Sequence, residues 1–265
     1  PKKLSVPTIV IPHDIQPLSL IKWDKSAYIY ASAIMTKNTL KVCDHIIAIS
    51  NFDRNDMISK LPQYTEKYHT IYNPIRFKKF KWEGRRDKYI TVLNIQWLHK
   101  NVSTIIKAYG RIVNKTNLDL ILVGKKPDNI DELVELVNKK NLSERVHFTG
   151  FVSDDEMISI LNQTRLYINA SYFEGFGMTA VEMMGNGIPT IVANNTAQPE
   201  VTRGLCRYYS PTNDDIKLAE QILDDLEHPK SKQELTKIAD IIRQSYTYEN
   251  IAKQYWDYIL ECIES

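Results

Sequence analysis

The sequence predicts an α/β protein, with parallel sheets covered by helices on both faces. Three observations lead there. From Tyr89 onward, short apolar runs of strand length alternate with stretches of helical period, the pattern of a parallel sheet with a helix in each crossover. Runs such as LDLILVG (118–124) and LYINA (166–170) are almost continuously apolar, as strands buried on both faces must be. Between LYINA and TIVAN (190–194) stands SYFEGFGMTAVE, a glycine turn that opens a short helix. The turn therefore falls at the C-terminal end of a parallel strand, where open α/β sheets bind ligands.

Each element follows from its residues. VPTIVI (6–11) reads as a buried strand ending at Pro12, His13 and Asp14. Residues 27–43 are helical in pattern and lead into HIIAIS (45–50), a second strand. NFDRNDMISKL (51–61) reads as a short helix with Asn51 as its N-cap. A third strand, HTIYN (69–73), stops at Asn73-Pro74. The basic stretch KKFKWEGRRDK (78–88) reads as a solvated connection between domains in preference to a nucleic-acid patch. ITVLN (90–94) is a strand, and Val102, Ile105, Ile106, Tyr109, Ile112 and Val113 mark one apolar helical face. After LDLILVG come a helix over about 129–140 and the strand VHFTG (146–150). Ser153 and Glu156 form a capping box opening the helix SDDEMISILNQ. LYINA, the glycine turn, TIVAN and the short strand RYYS (207–210) follow, and helices fill most of 214–263.

Composition bounds the function. The 265 residues are 43% hydrophobic and 25% charged with a net charge of +2, an ordinary globular balance without the field that nucleic-acid binding requires. Cys43, Cys206 and Cys262 are odd in number and widely spaced, which fits reduced thiols in a cytoplasmic setting. No apolar run is long enough to span a bilayer, and no signal peptide is present. The block before residue 80, with three strands, reads as the last part of a doubly wound lobe, so the expectation is either about 100 further residues ahead of it or an unusually short gene.

Glu174 and Glu182 carry the chemistry of the glycine turn. A helix N-terminus favours an anion such as phosphate, and carboxylates are strong acceptors for neutral hydroxyls. One segment thus offers what a sugar nucleotide needs. Taken alone, two glutamates at this spacing read more readily as solvated charges at a helix entry; their place between two apolar strands favours the ligand site.

The motifs PHDIQPL (12–18), HIIAISNF (45–52), YNPI (72–75), LHKN (98–101), ILVG (121–124), VHFTGFVSDDEM (146–157) and EGFGMTAVE (174–182) resemble, in order, those of glycosyltransferase family 4, the retaining enzymes of the GT-B fold. The resemblance implies two Rossmann-like domains: a partial N-terminal, acceptor-side lobe (1–80), a doubly wound C-terminal donor domain (81–246), and a last helix (247–265) returning to the N-terminal lobe. It implies a hexosyltransferase moving a sugar from a nucleoside-diphosphate sugar to a glycan, polysaccharide or lipid-linked acceptor, with no metal or other cofactor required. The HDIQ form is most similar to mannosyltransferases, which points to mannose from GDP-mannose. The protein would work in the cytoplasm, at most in peripheral contact with the cytoplasmic face of a membrane through the basic residues 78–88.

Residue roles follow from the same resemblance. Glu174 would accept hydrogen bonds from the donor sugar and stabilise positive charge at its anomeric carbon, and Glu182 would hold the ribose hydroxyls. Backbone amides around Phe176, Gly177, Met178 and Thr179 would meet the diphosphate. Lys100 would neutralise the leaving diphosphate, and His13 would touch the transferred sugar or the acceptor. Phe151 and Val152 would lie near the base. Asp14 reads as a turn cap. The sequence departs from the family at His99, where relatives carry an arginine, so diphosphate binding would be weaker or pH-sensitive. It also lacks the glycine-rich acceptor-side loop. Two rivals share the fold: a sugar-nucleotide epimerase or hydrolase, and a binding module without catalysis. The residues leave the oligomeric state open.

Overall fold

The computed structural model describes residues 2–13, 15, 18, 27–77 and 86–264. Asp14, the Gln16-Pro17 part of PHDIQPL, and 78–85 of the basic connection lie outside the described residues. The chain divides into two compact units, Pro1–Ile75 with Ser245–Ser265, and Arg76–Gln244.

In the first unit the described elements are β1 (Ile9–Val10), α1 (Ala27–Val42), β2 (His45–Ala48), α2 (Asn51–Lys60) and β3 (Tyr68–Thr70). The strands form a parallel sheet in the order β1-β2-β3. Alternation along β2 sends Ile46 and Ala48 into a core with Ile15, Leu40, Met57 and Tyr68, and Ile47 to the opposite face. There Ile47 meets Ile71 and Ile251, the latter on the last helix of the chain. Several expectations shift: β2 stops at Ala48 where HIIAIS ran to 50, and β3 covers Tyr68–Thr70 where HTIYN ran over 69–73. β1 is only two residues long where VPTIVI suggested six, because Val6 is exposed and Pro7 has no N–H for a ladder. Ser50, not Asn51, caps α2: its extended backbone lets the hydroxyl accept from Asp53 N–H at 3.0 Å, while Asn51 is already helical.

The second unit contains β4 (Tyr89–Leu93), α3 (Val102–Ile112), β5 (Asp119–Val123), α4 (Ile130–Lys139), β6 (Val146–Gly150), α5 (Asp154–Asn162) and β7 (Thr164–Asn169). It continues through α6 (Met178–Gly185), β8 (Thr190–Ala193), α7 (Gln198–Val201), β9 (Arg207–Tyr209), α8 (Asp215–Glu227) and most of α9 (Lys232–Ser245). The last helix, α10 (Tyr248–Glu264), belongs to the first unit, where the Tyr258 ring stacks on His69 at 4.1 Å.

Six parallel strands in the order β6-β5-β4-β7-β8-β9 make the second unit's sheet. The apolar runs explain the two-sided burial. Ile90, Val92, Leu120, Leu122, Leu166 and Ile168 pack under α3, α4 and α8 through Ile105, Ile106, Tyr109, Leu133, Leu218 and Ile222. The intervening residues Leu93, Ile121, Val123 and Tyr167 pack on the other face against Leu161 of α5 and Ala180 and Met183 of α6. The helical face expected on α3 is the face that is buried, with Val113 at its margin. The capping box closes as expected: Ser153 Oγ accepts from Glu156 N–H at 3.3 Å while the Glu156 carboxylate accepts from Ser153 N–H at 2.7 Å. Strand order reverses between β4 and β7. The chain leaving β4 and the chain leaving β7 therefore diverge, opening a crevice at their C-terminal ends.

Candidate functional site

The crevice is built by two turns, one after each central strand. After β4, a 3₁₀ turn (Leu98–Lys100) ends on Asn101, whose φ of 55° reverses the chain into α3. Asn101 is suited to that left-handed conformation, and it is locked by donating to Thr212 O at 2.9 Å and accepting from Thr104 Oγ1 at 2.8 Å. After β7, the glycine turn carries Glu174 and then Gly177, which caps α6 at φ 89°. The turns are tied together where Tyr172 N–H donates to His99 O at 2.8 Å.

Lys100 and Glu174 meet in this crevice. Lys100 Nζ donates to Glu174 Oε1 at 2.6 Å, with the two side chains only 10% and 12% exposed. Ser171 Oγ lies 2.7 Å and Asn169 Nδ2 3.2 Å from the same oxygen. Burial opposes ionisation of Glu174, but the Lys100 ammonium and these two hydrogen bonds outweigh it and hold the carboxyl below the usual glutamate range. The lysine is thus no surface residue at a helix entry. Its charge is engaged by Glu174.

α6 supplies the second part of the site. Phe176 and Gly177 are buried, Met178 is exposed and Thr179 is half-buried, its hydroxyl accepting from Tyr167 OH at 2.9 Å. Among the described residues, the N–H groups of Gly177, Met178 and Thr179 make no hydrogen bond. They therefore remain as donors at a helix N-terminus. Glu182 is half-buried on the same helix. Tyr167 senses both carboxylates from below: burial chiefly drives its phenol well above the ordinary tyrosine range, the Thr179 hydrogen bond works against this, and the charges of Glu174 and Glu182 add to it.

The far end of α6 is gripped by two arginines. Arg86 donates to Gly187 O at 2.9 Å and Asn186 O at 3.0 Å, and Arg243 donates to Gly185 O at 2.5 Å. These guanidinium groups complete the carbonyls that a helix leaves unbonded at its C-terminus.

The remaining expected residues spread out. Phe151, 79% exposed, and Val152, half-buried against the lower core, follow the left-handed Gly150 at the end of β6. His13 is exposed just beyond β1 in the first unit. Sequence reasoning passed over Asn169, Ser171 and Thr196, which surround Glu174. A signal was present: two polar residues flank Ala170 at the end of an otherwise apolar strand. Among the described residues no three His, Cys, Asp or Glu side chains come together as a metal-ligand set, and no helix is long and apolar enough to cross a membrane.

Comparison with known proteins places this geometry. The O-antigen chain mannosyltransferase RfbU of Salmonella typhimurium is 26% identical over 195 residues, 72% of this chain and 55% of that protein. The MMP alpha-(1->4)-mannosyltransferase of Mycolicibacterium hassiacum is 26% identical over 237 residues, covering 85% of this chain and 56% of that one. The chain therefore spans about half the length of these curated relatives. Among solved structures, Anabaena Alr3699/HepE in complex with UDP-glucose superimposes with a TM-score of 0.80 at 20% identity, over 96% of this chain and 72% of that one. Sucrose-phosphate synthase from Thermosynechococcus elongatus gives 0.77 at 19% identity, over 96% and 67%. At such identities the structural likeness establishes the fold, and the α/β, GT-B class expected from the motifs holds. Residues 74–241 match the family model "Glycosyl transferases group 1", and the chain belongs to that family.

Proposed function

We propose that this chain is the nucleotide-sugar-binding part of a retaining hexosyltransferase. The observation that carries the reading is the meeting of the buried Lys100–Glu174 pair with three N–H groups of the α6 turn that make no hydrogen bond among the described residues, at the sheet's switch point. In this reading the diphosphate lies on the amides of Gly177, Met178 and Thr179 and draws Lys100 toward itself. Glu174, released from part of its ion pair, accepts from the sugar hydroxyls and faces the positive charge that develops at the anomeric carbon. Glu182 holds the ribose, and Phe151 and Val152 border the base. His99, beside Lys100, adds a second donor to the phosphates, and His13 serves the acceptor side. The anomeric bond to the leaving phosphate oxygen breaks and a bond to the acceptor oxygen forms on the same face, the acceptor proton passing to the leaving phosphate. The protein's own donors take the charge of the diphosphate, so the reading includes no metal.

Mannose from GDP-mannose is the donor we favour; the mannosyltransferase activity of the relatives RfbU and the MMP enzyme supports the sugar. A glycan or lipid-linked saccharide is the acceptor, met in the cytoplasm at a membrane face. Calorimetric titration of the chain with GDP, UDP, dTDP and ADP, first with chelator and then with magnesium, tests the reading. Metal-independent binding of one nucleotide is the expected outcome, and GDP is the one named by the mannose assignment. Binding of none would overturn it. Product analysis with and without a glycan acceptor then separates transfer from epimerisation or hydrolysis, which need no acceptor.

A further inference from the structure

The Glu174 carboxylate is held unsymmetrically. Lys100 Nζ, Ser171 Oγ and Asn169 Nδ2 all converge on Oε1, at 2.6, 2.7 and 3.2 Å. A carboxylate offers about two acceptor sites per oxygen, so Oε1 is saturated by the protein. Oε2 accepts no hydrogen bond among the described residues, and it is not one of the buried polar atoms shut off from solvent.

Ser171 is central to this asymmetry. It is fully buried, and its N–H donates to Asn169 Oδ1 at 3.1 Å. The hydroxyl has one proton and two acceptors in reach, Asn169 Oδ1 at 2.6 Å and Glu174 Oε1 at 2.7 Å. An ionised carboxylate is the stronger acceptor, and Asn169 Oδ1 already has the serine N–H, so the proton goes to Glu174. The Glu174 main chain is fixed separately. Its N–H donates to Thr196 Oγ1 at 3.2 Å, and its carbonyl accepts from Ala197 N–H at 3.3 Å. Thr196 has φ 49°, unfavourable for a β-branched residue and sustained only where the surroundings impose it. The preceding Asn195 is tied down as well, its two Nδ2 protons shared among Ser171 O at 3.0 Å, Tyr172 O at 3.2 Å and Thr212 Oγ1 at 2.8 Å.

We infer that Ser171, seated by Asn169, is a positioning residue for sugar transfer: it anchors Oε1 of Glu174 so that Oε2 alone is presented to the sugar. The inference rests on the proposed role of Glu174. When the diphosphate draws Lys100 away, Ser171 and Asn169 are the contacts that keep the carboxylate aimed, and losing the serine proton lets it turn.

The test is Ser171→Ala in the full chain, read in three ways. Carbon-13 spectra of glutamate-labelled protein follow the Glu174 carboxyl through a pH titration, its resonance assigned by loss in Glu174→Gln. The charged group that faces it is Lys100 from the turn after β4, and the Tyr167 phenol lies within electrostatic reach of both Glu174 and Glu182 on α6. The expected result is a rise in the midpoint, because a hydrogen bond to the charged form is lost. Steady-state transfer should lose about tenfold in kcat, while calorimetry finds the dissociation constant of the bare nucleoside diphosphate unchanged. Ser171→Thr, which restores the hydroxyl, should recover both midpoint and kcat. An unmoved midpoint in a turnover-competent protein would overturn the inference and leave the functional reading intact. Equal losses of nucleotide affinity and kcat would show a purely structural serine. A wild-type chain that neither binds nucleotide nor turns over sugar would sink both.

Discussion

Lys100→Met removes the ammonium from the buried pair with the least change of shape, and the structure sets the size of the effect. Both side chains are about nine-tenths covered, at 10% and 12% exposure, so water screens the interaction little. Removing one partner of a buried pair costs about 3–5 kcal/mol, because it strands the other charge. Glu174 retains its contacts with Ser171 and Asn169, which places the expected loss near the lower bound, at about 3 kcal/mol. For a unit of this size that is a fall in Tm of roughly 6–12 °C. The pH dependence should also change sign. In the wild type the folded-state pKa of Glu174 is depressed, so its contribution is complete above the ordinary value of about 4.3 and is lost as pH falls through the lower folded value. With Lys100 gone, burial becomes the dominant influence and the folded pKa rises above the unfolded one. The deficit is then full above the raised folded value, shrinks as pH falls toward about 4.3, and disappears only below the depressed wild-type folded value, where Glu174 is protonated in every state. Thermal melts of wild type, Lys100→Met and Lys100→Met/Glu174→Gln between pH 4 and 8 would check this, with the double variant recovering most of the loss. A deficit below about 1 kcal/mol at pH 7, or one that does not shrink toward pH 4, would refute the account of a buried, charge-balanced pair.

Glu182→Ala should weaken nucleoside-diphosphate binding by about 1.5–3 kcal/mol, the worth of hydrogen bonds to a charged acceptor; unchanged calorimetric affinity would remove the ribose from its proposed partner. Asp225→Ala should destabilise the second unit by about 3 kcal/mol, measured by denaturant titration. It would leave Arg165 and Arg207, now 2.9 and 3.1 Å from a carboxylate only 2% exposed, without their shared anion. Nucleotide affinity of the folded Asp225→Ala protein should stay at the wild-type value, since these residues brace β7, β9 and α8 behind the sheet.

The strands of the second unit were legible because nearly continuous apolar runs leave few alternatives to a parallel sheet buried on both faces. β5 and β6 lie within a residue of LDLILVG and VHFTG, and the α3 face was readable from its period alone. Elements whose bounds depend on neighbours were less legible. Two residues of VPTIVI pair, and β7 begins at Thr164, whose hydroxyl meets Thr91 across the ladder at 2.7 Å. The glutamate turn could be read locally, since Gly177 needs a positive φ and Glu174 is fixed three residues before it. The burial of Lys100 could not, because its partner is 74 residues away. The same holds for Thr196, 22 residues beyond the glutamate that it supports. Ser50 was missed in favour of Asn51 for a local reason: both residue types cap helices, and the backbone geometry of the preceding strand chooses between them.

The arginine grip on α6 bears on how this protein can be divided. Arg86 precedes the first strand of the second unit and Arg243 lies at the last turn of α9, so each stands beside one of the two places where the chain passes between units. A fragment that starts at the first strand, Tyr89, and stops short of the last turn of α9 would keep the whole sheet, Lys100, both glutamates and the glycine turn. It would nevertheless strip α6 of both guanidinium groups and expose the carbonyls of Gly185, Asn186 and Gly187. An excised fragment carrying 76–244 retains them. For grafting this unit onto another scaffold, or recombining it with a different first unit, the transferable piece therefore includes Arg86 and Arg243.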